Sequence, residues 1–232
     1  MAQSSQASPA EPAALADQRR AMIEIIQAEV RRHGCGELDP RVVAAIGNVP
    51  RERFVPEDQG ASAYANRPLS IGHDQTISQP LIVAVMTDLL HIGPGARVLE
   101  VGTGSGYQTA VLANLAGEVV TIEVIEALAA EARTRLDELG YRNVEFHRGD
   151  GALGCPGRAP FDAILVTAAA RSVPPALIDQ LKPGGHMVIP IGADPASQEL
   201  VLLEKDPDGR IDRRSLFPVA FVPLTQAEPK VS

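Results

Sequence analysis

Positive charge and cysteine are both scarce in this chain of 232 residues. Its 21 lysines and arginines face 29 acidic residues, which gives a formal net charge of -8 and an isoelectric point near 5.1. Proteins held by nucleic-acid phosphates usually present a basic face, so we predict no nucleic-acid partner. The two cysteines, Cys35 and Cys155, lie far apart without zinc-site spacing. This pattern favours unpaired thiols in a reducing compartment and a cytoplasmic location.

Long apolar runs and paired metal ligands are lacking as well. No stretch of the sequence approaches the roughly 20 apolar residues that a membrane-spanning helix needs. The histidines show no ligand spacing with cysteine or acidic residues, which argues against a metal site; they are His33, His73, His91, His147 and His186. We therefore expect neither a membrane segment nor a bound metal.

The composition favours one folded domain behind a flexible start. Residues 1–16 are rich in Ser, Gln, Ala and Pro and lack the basic start and apolar core of a signal peptide, so they are predicted to be a disordered extension. The remaining residues, 17–232, are predicted to form a single domain around one core, since 45% of the chain is hydrophobic. Asp17 is predicted to cap a first helix, and Asp39 with Pro40 to start a second.

From Arg97 onward, apolar strands alternate with helical segments. This alternation predicts a doubly wound α/β fold with a mostly parallel sheet. Parallel strands are predicted at residues 119–123, 144–147, 162–166 and 186–191, and helices from Tyr107 and over residues 126–139 and 175–181. Residues 200–203 and 217–224 are predicted to close the sheet as antiparallel strands around a turn at 206–209.

Three alternating glycines, Gly102, Gly104 and Gly106, directly follow an apolar strand. Such a turn brings the backbone and a helix N-terminus close to a ligand. A dinucleotide fingerprint would place its third glycine at position 107, where this chain has Tyr107. The loop therefore fits a cofactor with an adenosine but no pyrophosphate, for which S-adenosylmethionine is the candidate. Glycine turns that merely connect a strand to a helix are the alternative.

A carboxylate ends the next strand, about twenty residues beyond the glycines. An acid at this position can hold both ribose hydroxyls of a nucleotide. Glu123 is therefore predicted to bind the ribose, and an exposed strand-end carboxylate is the alternative. The strand, the glycines, the helix and the acid together favour a cofactor site.

Several segments resemble a known enzyme group. Residues 99–110, 161–168 and 181–185 are similar to the ordered motifs of class I methyltransferases. A more specific likeness comes from Pro-Leu-Ser-Ile-Gly at residues 68–72 followed by Gln-Thr-Ile-Ser-Gln-Pro at residues 75–80. Together with the prolines of residues 50–56, these motifs resemble the protein-L-isoaspartate O-methyltransferases from about residue 17 to residue 225. The resemblance implies a Rossmann-like methyltransferase domain with N-terminal helices and antiparallel C-terminal strands.

The resemblance implies a role for each matching residue. It makes Ser78 the catalytic hydroxyl, and it places Asp150 and Gly151 against the adenine. Thr225 would line the site from the C-terminal segment. The predicted cofactor-binding residues are Thr76, Ile77, Ser78, Gly102, Thr103, Gly104, Ser105, Gly106, Glu123, Asp150, Gly151 and Thr225.

Plain structural roles remain open at two of these positions. A serine shortly before a helix start is an ordinary N-cap, and Asp150 between two glycines is a common turn former. The chain also departs from the family pattern, with Asp74 where relatives commonly have glycine. Val83 and Lys230 stand where some members have polar contacts. These departures concern the loop geometry and the C-terminal wall.

The chemistry suits these residues without a strong base. A substrate carboxylate with a pKa near 4 is almost fully ionised at neutral pH, and a sulfonium methyl group is already an electrophile. The resemblance implies the function, which is methyl transfer from S-adenosylmethionine to the free carboxylate of L-isoaspartyl residues in damaged proteins and peptides, and this transfer leads to their repair. One alternative is a class I methyltransferase acting on a small molecule or another protein group. The other is a binding protein without activity that keeps the cofactor fold.

Overall fold

A computed structural model of the protein describes residues 13–33 and 36–225. In chain order its strands are β1 (Leu69–Gly72), β2 (Gln75–Ile77), β3 (Arg97–Val101), β4 (Glu118–Glu123), β5 (Val144–Arg148), β6 (Phe161–Val166), β7 (Leu181–Ile191), β8 (Gln198–Lys205) and β9 (Ile211–Val219). Its α-helices are α1 (Ala13–Arg32), α2 (Pro40–Asn48), α3 (Pro80–Asp88), α4 (Tyr107–Ala113), α5 (Glu126–Glu138) and α6 (Pro175–Gln180). Short 3-10 helices occupy Arg51–Phe54, Glu57–Ser62, Gly151–Leu153, Pro156–Arg158 and Pro195–Ser197.

Seven strands of the described chain form one sheet in the order β5-β4-β3-β6-β7-β8-β9. The strands from β5 to β7 in that order are parallel, and β8 and β9 are antiparallel. The chain winds outward from β3 in one direction and then from β6 in the other. This reversal opens a crevice at the carboxyl ends of β3 and β6, where ligands bind in such folds. The predicted doubly wound, mostly parallel sheet is confirmed.

The parallel strands are apolar on both faces because helices cover the sheet from both sides. In β3, Val98, Leu99 and Val101 are at most 1% exposed. One face of the sheet packs with α6 residues such as Leu177, and the other with α3 and α4 residues such as Met86. Each such side chain contributes about 1.5 to 3 kcal/mol through burial, so the sheet is a rigid support for the loops at its edge.

The first helix starts at Ala13, before the cap predicted at Asp17. We expected Asp17 to cap it and residues up to 16 to be disordered, but α1 begins at Ala13. The Ala-Ala-Leu-Ala run at residues 13–16 consists of strong helix formers, and this propensity extends the helix past the acid. Residues 1–12 of the predicted extension lie outside the described residues, as do Cys35 and Lys230. The predicted start of the second helix is confirmed, because Asp39 caps α2 by accepting a hydrogen bond from Arg41 N at 2.8 Å.

A short hairpin that was not predicted connects the first helices to the site. β1 and β2 pair antiparallel, and the turn between them carries His73 and Asp74 at φ 53° and 56°. A turn with two left-handed residues favours glycine, asparagine or aspartate. Asp74 therefore suits this turn, and so would the glycine that the family resemblance led us to expect there. The hairpin places Thr76 and Ile77 next to the start of α3.

The last strand lies earlier than predicted. β9 covers Ile211–Val219 rather than residues 217–224, and pairs with β8 from Lys205↔Ile211 onward. Its exposed, charged residues mark the edge of the sheet, and such residues leave no apolar run in the sequence. The residues beyond it leave the sheet and bond to Ala169, which donates to Val222 O and accepts from Leu224 N. Residues 221–225 are thereby held beside the carboxyl end of β6.

Candidate functional site

One pocket lies at the carboxyl ends of the central strands. It contains about 770 Å³ of space, part of it open to solvent, and is bounded by β3, β4, β6, the hairpin and residues 222–225. Most of the predicted site residues line it: Thr76, Ile77, Ser78, Gly102, Thr103, Gly104, Ser105, Glu123, Gly151 and Thr225. Gly106 and Asp150 are not among its lining residues. The pocket thus brings together residues that span 150 positions of the sequence.

The glycine loop is shaped by backbone that only glycine adopts easily. Gly102, Gly104 and Gly106 all have positive φ, at 98°, 53° and 87°. Gly106 is the N-cap of α4, which explains why it lies behind the pocket. At Gly102, an added Cβ would lie 2.4 Å from Thr167 Oγ1, which itself bonds to Gly102 O at 2.6 Å. The loop therefore presents bare backbone to a ligand.

The short distance between Gly102 and Thr167 leads to a prediction for Gly102→Ala. We expect unfolding to become easier by about 2 to 4 kcal/mol, because the change combines left-handed strain with a steric clash against Thr167. Gly209→Ala is the matched control, since Gly209 has φ 83° and nothing within 4 Å of its added Cβ. Chemical denaturation measures both variants. Equal destabilisation of the two would contradict the proposed clash.

Glu123 is buried and already held by the backbone. Its side chain accepts from Gly104 N at 2.8 Å through Oε2 and from Val124 N and Ile125 N at 2.9 and 3.0 Å through Oε1. The residue is only 6% exposed, so the alternative of an exposed carboxylate is wrong. A carboxylate has about four acceptor positions, and three are taken here. One position therefore remains for a hydroxyl donor in the pocket.

The hydroxyl of Ser78 is free to serve the pocket. Ser78 is partly buried, and its carbonyl oxygen accepts from Arg51 Nη2 at 2.8 Å. Within the described part of the chain, its hydroxyl makes no hydrogen bond. The N-cap of α3 is Gln79, without a side-chain hydrogen bond to the helix, so the alternative in which Ser78 caps the helix is wrong. Nearby, Thr76 is exposed and Ile77 is buried.

The loop after β5 forms the far wall of the pocket. Asp150 accepts from Ala152 N at 2.9 Å and so caps a 3-10 turn, which is the structural role considered for it. Gly151 lines the pocket, and an added Cβ there would lie within 2.3 Å of Val101 Cγ1. The buried side chain of Gln180 holds this loop from α6, accepting from Cys155 N at 2.7 Å and donating to Leu153 O at 2.9 Å. Sequence reasoning missed Gln180.

A second missed residue, Glu100, lies fully buried under the glycine loop. Its Oε2 accepts from Thr109 and Thr121 at 2.5 and 2.6 Å, and Thr121 is 2.6 Å from the hydroxyl of Thr103 in the loop. Its Oε1 has no partner among the described residues. Burial raises the pKa of Glu100 from 4.5 to about 8. The carboxyl is therefore mostly protonated at neutral pH. In the sequence, the only sign of this buried acid is a glutamate within an apolar strand.

The raised pKa of Glu100 predicts a pH-dependent stability. Its folded-state pKa lies above its unfolded one, so the folded protein holds an extra proton between about pH 4.5 and 8 and loses stability as the pH rises. Glu100→Gln removes this proton exchange. Relative to the original chain, the variant should gain up to about 1.4 kcal/mol per pH unit across that window and then level off. Denaturation at several pH values measures this gain, and parallel curves would contradict it.

An apolar groove adjoins the pocket on the side of the hairpin. Both are lined by Thr76, Ser78, Thr167 and Val222. The other groove residues are apolar or uncharged: Pro68, Gln79, Ile82, Pro195, Ala196, Pro218, Val219, Ala220 and Phe221. A molecule in the groove would therefore meet a molecule in the pocket at Ser78.

Residues 13–33 and 36–225 lack two further features. No group of three or more His, Cys, Asp or Glu side chains is arranged to hold a metal ion there. No helix in these ranges combines the length and apolar character required to cross a membrane.

Comparisons with a family model and with individual proteins identify the same enzyme family. The model of the protein-L-isoaspartate(D-aspartate) O-methyltransferase family matches residues 20–229. Protein-L-isoaspartate O-methyltransferase 2 of a Polaromonas species is 59% identical over 208 residues, which cover 88% of this chain and 99% of the relative.

Two solved structures extend the comparison to the fold. A protein-L-isoaspartate O-methyltransferase matches with a TM-score of 0.78 and 28% identity over 88% of this chain and 65% of its own longer chain. A Plasmodium falciparum protein described as such an enzyme, in complex with S-adenosyl-L-homocysteine, matches with a TM-score of 0.74 and 26% identity over 90% of this chain and 98% of its own.

Proposed function

The chain belongs to the protein-L-isoaspartate(D-aspartate) O-methyltransferase family, and we propose that Ser78 aligns the substrate carboxylate at the mouth of the pocket. The reaction is methyl transfer from S-adenosylmethionine to the free carboxylate of L-isoaspartyl residues in damaged proteins and peptides, which leads to their repair. The observation that carries the proposed role of Ser78 is its free hydroxyl at the junction of the pocket and the groove. Of the structural alternatives, helix capping is already excluded at this residue.

The pocket fits S-adenosylmethionine in two respects. At Gly102 and Gly151 an added Cβ would collide with Thr167 or Val101, so glycine lets these segments pack closely and present backbone atoms to the pocket. The one acceptor position left on Glu123 suits a ribose hydroxyl. We assign the glycine loop to the methionine portion, Glu123 to the ribose and Gly151 to the adenine, with Thr76, Ile77 and Thr225 closing the pocket. When bound, the cofactor supplies an electrophilic methyl group on a positively charged sulfur.

The protein's own contribution is alignment. The isoaspartyl carboxylate is ionised at neutral pH and has no proton to lose, so a general base is not required. In-line approach of the carboxylate oxygen to the methyl carbon can contribute on the order of 7 to 11 kcal/mol when the geometry is good. A single hydroxyl donor suffices to orient one carboxylate oxygen and leave the other free to attack. Ser78 is the residue to which we assign this donor role.

We place the flanking peptide in the apolar groove. An isoaspartyl residue carries its backbone through the side-chain carbon, so recognition must sense an extra methylene in the chain as well as the free carboxylate. The groove residues offer no charged side chain, which favours recognition of the peptide by shape and backbone contacts. Peptides with apolar residues beside the isoaspartyl residue should therefore bind better than the same peptides with charged residues there.

The decisive experiment uses labelled cofactor and two matched peptides that differ only in an aspartyl or isoaspartyl linkage. We expect a base-labile methyl ester on the isoaspartyl peptide alone. Transfer to neither peptide but to a small molecule or another protein group would favour the broader methyltransferase alternative. Cofactor binding without any transfer would favour a binding protein. Omission of the cofactor and addition of S-adenosylhomocysteine serve as controls.

The proposed partners and cellular location follow from the proposed substrate and from the composition of the chain. Isoaspartyl proteins are the proposed partners, without nucleic acid, membrane or metal. A cytoplasmic location remains a prediction, and the buried free thiol of Cys155 is compatible with it.

A further inference from the structure

Arg51 is a buried cation directly behind the proposed active site. It lies in the 3-10 helix Arg51–Phe54 and is 0% exposed. Among the described residues, no carboxylate lies within ion-pair distance of its guanidinium. Desolvation lowers the pKa of Arg51. A buried charge without a counter-ion is costly, by several kcal/mol, so its place in the fold needs an explanation beyond packing.

The contacts of Arg51 are with backbone and with an aromatic ring. Its Nε donates to Ala63 O and its Nη2 donates to Ser78 O, both at 2.8 Å. Its Cζ lies 4.6 Å from the centroid of the Tyr107 ring, within the range of a cation–π contact. Its third nitrogen, Nη1, has no hydrogen-bond partner in the described part of the chain.

These contacts join the two halves of the site. Ser78 belongs to the segment that faces the acceptor, between the hairpin and α3. Tyr107 is the first residue of α4 and directly follows the glycine loop that faces the cofactor. Tyr107 is itself fully buried, with Phe54 packed edge-on at 5.6 Å. The planar guanidinium therefore fixes the Ser78 backbone relative to a rigid part of the cofactor side.

We propose that Arg51 is a positioning residue, which sets the place of the Ser78 hydroxyl over the cofactor loop by holding the Ser78 carbonyl oxygen. The inference rests on the proposed role of Ser78. Arginine suits this task because its fork can hold two carbonyl groups in fixed directions while its face stacks on a ring. A lysine can keep the charge but not this geometry.

The test compares Arg51→Lys and Arg51→Gln with the original chain. For Arg51→Lys we expect kcat on an isoaspartyl peptide to fall by about 10-fold or more, since small misplacement of an aligning group strongly lowers rate. The dissociation constant for S-adenosylhomocysteine should change by less than about 3-fold. Amide hydrogen exchange should become faster in the segment around Ser78. A purely structural role would instead move cofactor affinity, exchange and turnover together.

A double-mutant cycle with Ser78→Ala separates action through Ser78 from action elsewhere. If Arg51 works through the hydroxyl, Arg51→Lys should change the residual rate of the Ser78→Ala variant by less than about 2-fold. Additive losses would overturn the proposal. So would unchanged kcat in Arg51→Lys, or failure of both Arg51 variants to fold with S-adenosylhomocysteine present, because Arg51 would then serve the core alone.

Different results would contradict the proposed function and the proposed role of Arg51. An original chain that does not methylate isoaspartyl peptides contradicts the proposed function. A fully active original chain with an equally active Arg51→Lys variant contradicts only the role of Arg51.

Discussion

Ser78→Ala should lower kcat for an isoaspartyl peptide by about 10- to 100-fold. The expected loss corresponds to one hydrogen bond to a charged group, which is worth about 1.5 to 3 kcal/mol. Cofactor affinity should stay nearly unchanged, because Glu123 and the glycine loop remain intact. Steady-state kinetics with labelled cofactor measures the rate, and calorimetry with S-adenosylhomocysteine measures the affinity.

Ser70→Ala is the matched control for this prediction. Ser70 is an exposed serine in β1 of the same hairpin, and its loss should leave both kcat and cofactor affinity as they are. A fully active Ser78→Ala variant would remove Ser78 from the mechanism. A variant that loses cofactor binding to the same extent as turnover would assign the serine to the pocket wall instead.

Glu123→Gln should have the largest effect on cofactor affinity. Both oxygens of Glu123 accept backbone N–H groups, so the amide nitrogen of glutamine must face a donor whichever way it turns. Each lost hydrogen bond to the charged carboxylate costs about 1.5 to 3 kcal/mol. The lost backbone hydrogen bond and the lost ribose contact act together. We therefore expect the dissociation constant for S-adenosylhomocysteine to rise about 100-fold or more.

Glu126→Gln provides the control for Glu123→Gln. Glu126 is exposed near the start of α5, where it pairs with Arg148 on the surface, and such pairs contribute little. Calorimetry should find its cofactor affinity unchanged. If Glu123→Gln binds the cofactor as tightly as Glu126→Gln does, the ribose assignment is wrong.

The parts of the molecule that follow from sequence are those with a strong local pattern. The apolar runs of β3, β4 and β6 predict buried parallel strands because only such strands are covered on both faces. The three glycines and Glu123 predict the position of the pocket, since the carboxyl ends of these strands meet at one edge. The structure brings these residues together as expected.

Other features depend on contacts between distant segments, and the sequence carries little sign of them. Arg51 and Gln180 look like surface residues in the sequence, yet both are buried because each binds backbone groups of another segment. The sequence predicts β9 too far along the chain, because edge strands carry charges and lack an apolar run. α1 begins at Ala13 because the strong helix formers at residues 13–16 extend the helix before Asp17, although Asp17 is itself a suitable cap.

The two hydrogen bonds from Gln180 to the loop after β5 bear on the order in which the two products leave the enzyme. Gln180 ends α6 and immediately precedes β7, so the loop with Gly151 is fastened to the centre of the sheet. These two hydrogen bonds hold that boundary to the sheet. We therefore expect fresh cofactor to enter, and spent cofactor to leave, past the hairpin and residues 221–225, the same boundary that a peptide in the groove would cover. The modified peptide should therefore leave first, and the demethylated cofactor second.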